Sequence, residues 1–168
     1  MKKSRALAIT GALGLSTITW GALQTRDFRV VDYSLELLEP GTLQGRESFN
    51  ILHVADLHMI PGQRKKVEFV QALAELEPDL VVNTGDNLSD MDGVPWVLDA
   101  LGPLLDVPGV FVFGTNDYWA PQPVNPTKYL LDQKREPSYV DLPWEGMRAA
   151  FIERGWQDAT HQRLEFKA

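Results

Sequence analysis

Three short polar motifs contain the residues of this chain that are best suited to chemistry. They are the D-x-H pair Asp56 and His58, the G-D at Asp86, and the G-T-N-D that ends at Asp117. The intervals from Asp56 to Asp86 and from Asp86 to Asn116 are both 30 residues. Residues just past the carboxyl ends of parallel strands converge on one crevice, so these side chains are expected to lie together. Oxygen ligands beside an imidazole indicate a site for divalent or trivalent metal ions.

Each motif follows an apolar run that is typical of a strand buried on both faces of a sheet. The three predicted strands are Asn50–Ala55, Leu80–Thr84 and Gly109–Phe113. Apolar residues at helical spacing lie between them, over Arg64–Glu77 and from Val94 to Leu105. This β-α-β-α-β order predicts an α/β fold with parallel strands and right-handed crossovers.

The remaining segments give weaker signals. Partial alternation over Phe28–Leu38 predicts a strand, and Asp92 is a candidate N-cap for the helix at Val94. The proline-rich stretch 120–143 predicts a long loop with at most a short helix at Thr127–Asp132. Trp144–Arg154 is predicted to be a helix that ends at a glycine.

At its three motifs the chain resembles the calcineurin-like metallophosphoesterase family, and a bacterial branch of it in particular. The family pattern is D-x-H, G-D, G-N-H-D/E, a lone His, and then G-H-x-H, of which the last two elements are not found in this chain. The resemblance implies an α/β sandwich of mixed sheets flanked by helices, present here as an incomplete, N-terminal part. It also implies a hydrolase of phosphate esters with two divalent or trivalent metal ions, for which Mn, Fe and Zn are the candidates.

By the same resemblance, the metal ligands would be Asp56, His58, Asp86 and Asn116, and Asp86 would bridge the two ions. The third motif departs from the family pattern and allows two alignments. With one inserted residue, Asn116 is a ligand and Asp117 replaces the His that stabilises the transition state. Without a gap, Thr115 is at the ligand position and Asn116 at the His position. We favour Asn116 as the ligand, because an amide oxygen coordinates better than a neutral hydroxyl. Asn116 and Asp117 are therefore also the candidate catalytic residues.

Two further histidines have simpler interpretations. His53 lies within a predicted strand and is interpreted as a core histidine, with a role behind the ligands as the alternative. His161 is interpreted as a surface or loop residue.

Composition limits the classes of function. The chain has 168 residues, enough for one domain with a sizeable core, and a net charge of −7. A nucleic-acid-binding role needs a basic surface, so no nucleic-acid partner is expected. The absence of cysteine excludes disulfides and thiolate metal sites.

Residues 1–25 are predicted to be a signal or membrane anchor, and residues 26–168 a metallophosphoesterase domain. Basic residues precede the uncharged stretch Ala6–Leu23, as they do in signal peptides and membrane anchors. Trp20-Gly21-Ala22 is a poor cleavage site, so an uncleaved anchor is favoured over a cleaved signal or an ordinary helix. An anchor would make the membrane a partner and place the domain outside the cytoplasmic membrane. A secreted or cytoplasmic protein is the alternative.

The end of the chain alternates like the beginning of a strand, over Arg163–Ala168. Together with the missing motifs, this predicts that the chain is the first part of a longer enzyme and is itself nearly inactive. The rival hypothesis is a non-catalytic, membrane-tethered domain that keeps a partial metal site for structure or partner binding.

Overall fold

Four parallel strands form one sheet in the computed structural model, which describes residues 2–39, 41–43, 45–121 and 140–165. The strand order follows the chain. The register pairs Ile51 with Leu80, Val81 with Gly109 and Val110 with Gln157. The strands are β1 (Ile51–Val54), β2 (Leu80–Asn83), β3 (Gly109–Phe111) and β4 (Gln157–Asp158). The first three confirm the predicted strands, whereas β4 was not predicted.

Helices connect the strands as the sequence predicts. The chain has α1 (Lys2–Gln24), α2 (Arg64–Ala72), α3 (Val94–Leu101), α4 (Thr115–Tyr118) and α5 (Trp144–Glu153). Short 3-10 helices follow α2 and α3, at Leu73–Leu76 and Leu104–Asp106. After α5, Gly155 has φ +90°, the left-handed conformation that commonly ends a helix.

The core lies on one face of the sheet. Alternate strand residues point to this face, among them Val81 and Phe111, which are fully buried. Buried side chains of α2, α3 and α5 cover it, and α3 contacts both α2 and α5. Phe151 of α5 packs edge-on against Phe111, with ring centroids 5.2 Å apart. The indole of Trp156 fills the space beside Gly109, where a Cβ would lie 2.3 Å from the ring nitrogen.

The opposite face of the sheet is more open, which corrects the prediction of strands buried on both faces. Ile51 is 59% exposed, and His53 is exposed as well. The register places His53, Val82 and Val110 in one row on this face. His53 is therefore not a core histidine, and its Nε2 lies 2.8 Å from the hydroxyl oxygen of Thr84. The apolar runs identified strands correctly but did not show how many of their faces are covered.

Three further local predictions were wrong. Phe28–Leu38 forms neither strand nor helix, and most of its apolar side chains are exposed. The residue at the N-cap of α3 is Gly93, without a side-chain cap, rather than Asp92. Arg163–Glu165 has no strand structure, while residues 166–168 and the predicted helix at Thr127–Asp132 lie outside the described residues.

The chain divides into two units, Met1–Leu37 and Leu38–Ala168. The first contains α1, and the second contains the sheet. Among the described residues, no helix is both long and apolar enough to cross a membrane. The signal or anchor over residues 1–25 stays a prediction.

The α/β fold is confirmed for the second unit, since a parallel sheet is flanked by helices there. The described strands make up one sheet and are all parallel, so they supply only part of the predicted sandwich of mixed sheets.

Candidate metal centre

The loops after β1 and β2 continue the pairing of the two strands. The backbone N–H of Asp56 donates to Gly85 O at 3.0 Å, and that of His58 donates to Asp86 O at 3.0 Å. Met59 and Leu88 then form an isolated parallel bridge. Because these backbone bonds continue from the strands as far as Met59, the first two motifs are held side by side at the carboxyl edge of the sheet.

The side chains of Asp56, His58 and Asp86 meet at this edge. Each offers one ligand atom, and these atoms all lie within 4.8 Å of one another. His58 Nε2 is 3.8 Å from Asp56 Oδ1. Asp56 is exposed, while His58 and Asp86 are partly buried, so the group is open to solvent on one side.

All three of these residues have left-handed backbone conformations, with φ of 54° at Asp56, 43° at His58 and 55° at Asp86. Residues other than glycine adopt this region rarely, and aspartate is among those that tolerate it best. Gly85, next to Asp86, has φ +89°, and a Cβ there would lie 2.3 Å from Gly114 N. The close approach of the loops after β2 and β3 therefore requires glycine at position 85.

The third motif meets the second through Asn116. Its backbone N–H donates to Asp86 Oδ1 at 2.9 Å, and its side-chain amide donates to Asp86 Oδ2 at 3.0 Å. Thr115 is exposed. The sequence allows Thr115 or Asn116 at the ligand position and favours Asn116, and in the structure Asn116 contacts Asp86 of the ligand group.

Asp117 lies beneath this group and is fully buried. Its Oδ1 accepts the N–H groups of Asn87 at 2.7 Å and Leu88 at 3.3 Å. Its Oδ2 accepts those of Asp86 at 2.7 Å and Gly114 at 2.9 Å. Burial raises the pKa of Asp117, and the four N–H donors oppose that rise. Asp117 is one of the two candidate catalytic residues, and in the structure each of its oxygens accepts two backbone N–H groups.

The buried side-chain amides of Asn83 and Asn87, which were not predicted, hold the second motif in place. Asn83 Nδ2 donates to Asn87 Oδ1 at 2.8 Å, and Asn87 Nδ2 donates back to Asn83 Oδ1 at 3.1 Å. Asn83 Oδ1 also accepts the N–H of Gly85 at 3.0 Å. The signal in the sequence was a polar residue, Asn83, at the end of an otherwise apolar run.

Lys66 of α2 holds the first motif from the side. Its Nζ donates to the carbonyl oxygen of Leu57, the residue between the two candidate ligands Asp56 and His58, at 2.7 Å. Burial lowers the pKa of Lys66.

The other two histidines lie outside the group of three ligands. His53 bonds to Thr84 on the open face of the sheet. His161 is exposed, with φ 60°, in the segment after β4. Its interpretation as a surface or loop residue agrees with this position.

A family model of the calcineurin-like phosphoesterases matches residues 49–154. The chain belongs to the calcineurin-like phosphoesterase family. The match begins just before β1 and ends just after α5, so it includes all three motifs. No curated protein and no solved structure matches the chain.

Membership of the calcineurin-like phosphoesterases supports a metal-dependent phosphoesterase in general terms. The donor chemistry of the group agrees with this, because two carboxylates and an imidazole suit a metal ion. The residues present therefore fit a metal ion, and phosphate esters are the class of substrate that the family implies.

Proposed function

We propose that this protein hydrolyses phosphate esters at a dinuclear metal centre built on Asp56, His58 and Asp86. The observation that supports the proposal is the convergence of their three ligand atoms within 4.8 Å, inside the region that matches the family. Bound metal ions would polarise the phosphoryl group and lower the pKa of a water molecule. Mn, Fe and Zn are the candidates for these ions.

The residues of the chain then take distinct roles. Asp86 is the carboxylate proposed to be shared between two ions, and both of its oxygens already accept N–H groups from Asn116. These two bonds leave the amide oxygen of Asn116 as a proposed further ligand and the second hydrogen of its NH₂ group as a proposed donor to the phosphoryl group. Asp117 acts through others, since its four hydrogen bonds fix the loops that present Asp86 and Asn116.

A non-catalytic domain with a partial metal site is the second candidate. It is favoured by one observation: within the described part of the chain, a single group of three residues offers ligand atoms close together. Such a site would bind one ion for structure or for partner recognition.

The test is metal-dependent hydrolysis of mono-aryl and bis-aryl phosphates by the purified full-length protein, with Mn²⁺ or Zn²⁺ supplied. Asp86→Ala should lower turnover at least about 100-fold, because the carboxylate proposed to hold both ions is lost. Asp92→Ala, at an exposed position, is the matched control and should leave turnover unchanged. Near-normal turnover of Asp86→Ala at saturating metal would contradict the proposal. Metal binding by the wild type without any turnover would favour the non-catalytic domain.

A further inference from the structure

The ring of His58 is contacted on the side away from the other ligands. Its Nδ1 lies 3.1 Å from the hydroxyl oxygen of Ser89. Its Nε2 is the nitrogen that faces Asp56, with 3.8 Å to Asp56 Oδ1. The two ring nitrogens therefore have separate neighbours, the hydroxyl at one and the candidate ligand group at the other.

Ser89 is held firmly enough to orient the ring. Its N–H donates to Met59 O at 3.2 Å, and the preceding residue, Leu88, is fully buried and bridged to Met59. The N–H of Leu88 also donates to the buried Asp117. The backbone that carries the Ser89 hydroxyl is therefore held in place by its hydrogen bonds to Met59 and, through Leu88, to Asp117.

Metal binding through Nε2 requires a lone pair on that atom, so the ring proton must be on Nδ1. A hydroxyl oxygen can accept this Nδ1–H, and its own hydrogen can rotate away. Outer hydrogen bonds of this kind set the tautomer and the direction of a metal-binding imidazole.

We propose that Ser89 is a positioning residue, which accepts a hydrogen bond from His58 Nδ1 and so presents Nε2 to the metal ion. This inference rests on the proposed function, because it assigns the outer partner of one of the proposed ligands. In this role Ser89 acts through His58 and would contact neither the ion nor the substrate itself.

The structure contains a matched histidine–hydroxyl pair for comparison. His53 Nε2 lies 2.8 Å from Thr84 Oγ1, on the open face of the sheet, and His53 is not part of the ligand group. Loss of the Ser89 hydroxyl could weaken metal binding only by making the fold less stable. In that case, loss of the Thr84 hydroxyl from the second histidine–hydroxyl pair should weaken metal binding as well.

The experiment is calorimetric titration of Zn²⁺ into the metal-free protein. Ser89→Ala should weaken Zn²⁺ binding about 10- to 100-fold, the usual effect of removing an outer partner of a metal ligand. Ser89→Thr keeps the hydroxyl and should restore affinity to within about threefold of the wild type, well below that range. Thr84→Val should leave the affinity unchanged, and urea midpoints of the metal-free proteins show whether each variant is folded.

A second measurement does not need the alanine variant. The chain has three histidines, so the imidazole ¹⁵N signals of the Zn²⁺ complex can be assigned by substitution. His58 should show Zn²⁺ on Nε2 and a retained proton on Nδ1. Coordination through Nδ1 would overturn the proposal.

The outcomes separate the two proposals. Zn²⁺ binding by the wild type that is lost in Asp86→Ala but unchanged in Ser89→Ala would overturn the role of Ser89 and leave the metal centre intact. Absence of Zn²⁺ binding by the wild type would overturn both.

Discussion

At the scale of single residues, the three candidate ligands have unfavourable backbone conformations that hydrogen bonds to neighbouring residues hold in place. A left-handed conformation costs about 1–3 kcal/mol at a residue other than glycine, and it persists only where the surroundings enforce it. Asp56, His58 and Asp86 all have this conformation, and paired backbone and the Asp117 carboxylate enforce it. Strain of this kind is concentrated at functional sites in proteins, which agrees with a role for these three residues.

Asp117 is the residue at which a nearly isosteric change should be most harmful. Each of its oxygens accepts two backbone N–H groups, so in Asp117→Asn the new NH₂ group must face two donors whichever way the amide is turned. We expect the free energy of unfolding to fall by about 2–4 kcal/mol, since buried donors lose their acceptor. Urea denaturation measures this loss.

Asp92→Asn is the control for that change, because Asp92 is exposed and its substitution should alter stability by less than about 0.5 kcal/mol. Equal stability of Asp117→Asn and the wild type would show that the four hydrogen bonds do not hold these loops in solution.

At the scale of elements, the site depends on how closely the loops after β2 and β3 approach. Gly114 has φ −95°, which any residue can adopt, so glycine is not needed there for its backbone. It is needed for space, because a Cβ would lie 2.1 Å from Asp86 Oδ1. Gly114→Ala should therefore displace Asp86 and weaken Zn²⁺ binding at least about tenfold, measured by calorimetry.

Gly146→Ala is the matched control. Gly146 lies within α5, and a Cβ there would meet no atom within 4 Å. Alanine should raise the free energy of unfolding by about 0.5–1 kcal/mol and leave metal binding unchanged. Wild-type affinity in Gly114→Ala would mean that the two loops can separate without loss of the site.

The sequence predicted the elements that have a strong local signal. β1, β2 and β3 lie in mostly apolar runs, and α2, α3 and α5 have helical spacing, so their presence follows from pattern alone. β4 has two residues, Gln157 and Asp158, and exists only because β3 offers an edge for pairing. Phe28–Leu38 has the opposite character, since its alternation predicts a strand and yet no strand forms. Pairing is a property of the fold, and a short alternating segment does not reveal it.

The candidate site was predictable to a similar extent. The ligand group followed from motifs placed after parallel strands, because that placement alone brings them to one edge. The contacts of Asp117 and Ser89 did not follow, since they depend on loop conformations with positive φ that residue types do not specify. The Asn83–Asn87 pair was missed for the same reason.

At the scale of the whole molecule, the sheet has a covered face and a more open one. Helices α2, α3 and α5 pack on the face that contains Val81, whereas Val82 on the other face is only partly buried. Parallel sheets usually have both faces covered, and this is why the apolar runs were interpreted as strands buried on both sides.

These two neighbouring valines test the asymmetry directly. Val81→Thr places a hydroxyl in the fully buried core and should lower the free energy of unfolding by about 2 kcal/mol. Val82→Thr makes the same chemical change in the same strand on the open face, where water can reach the hydroxyl, and should cost less than about 1 kcal/mol. Urea denaturation of both variants gives the two losses of unfolding free energy. The change in strand propensity is the same for both, because both replace valine by threonine in β2. Equal losses would mean that the second face is as dry in solution as the first, and that the interpretation of these strands as buried on both faces was the correct one.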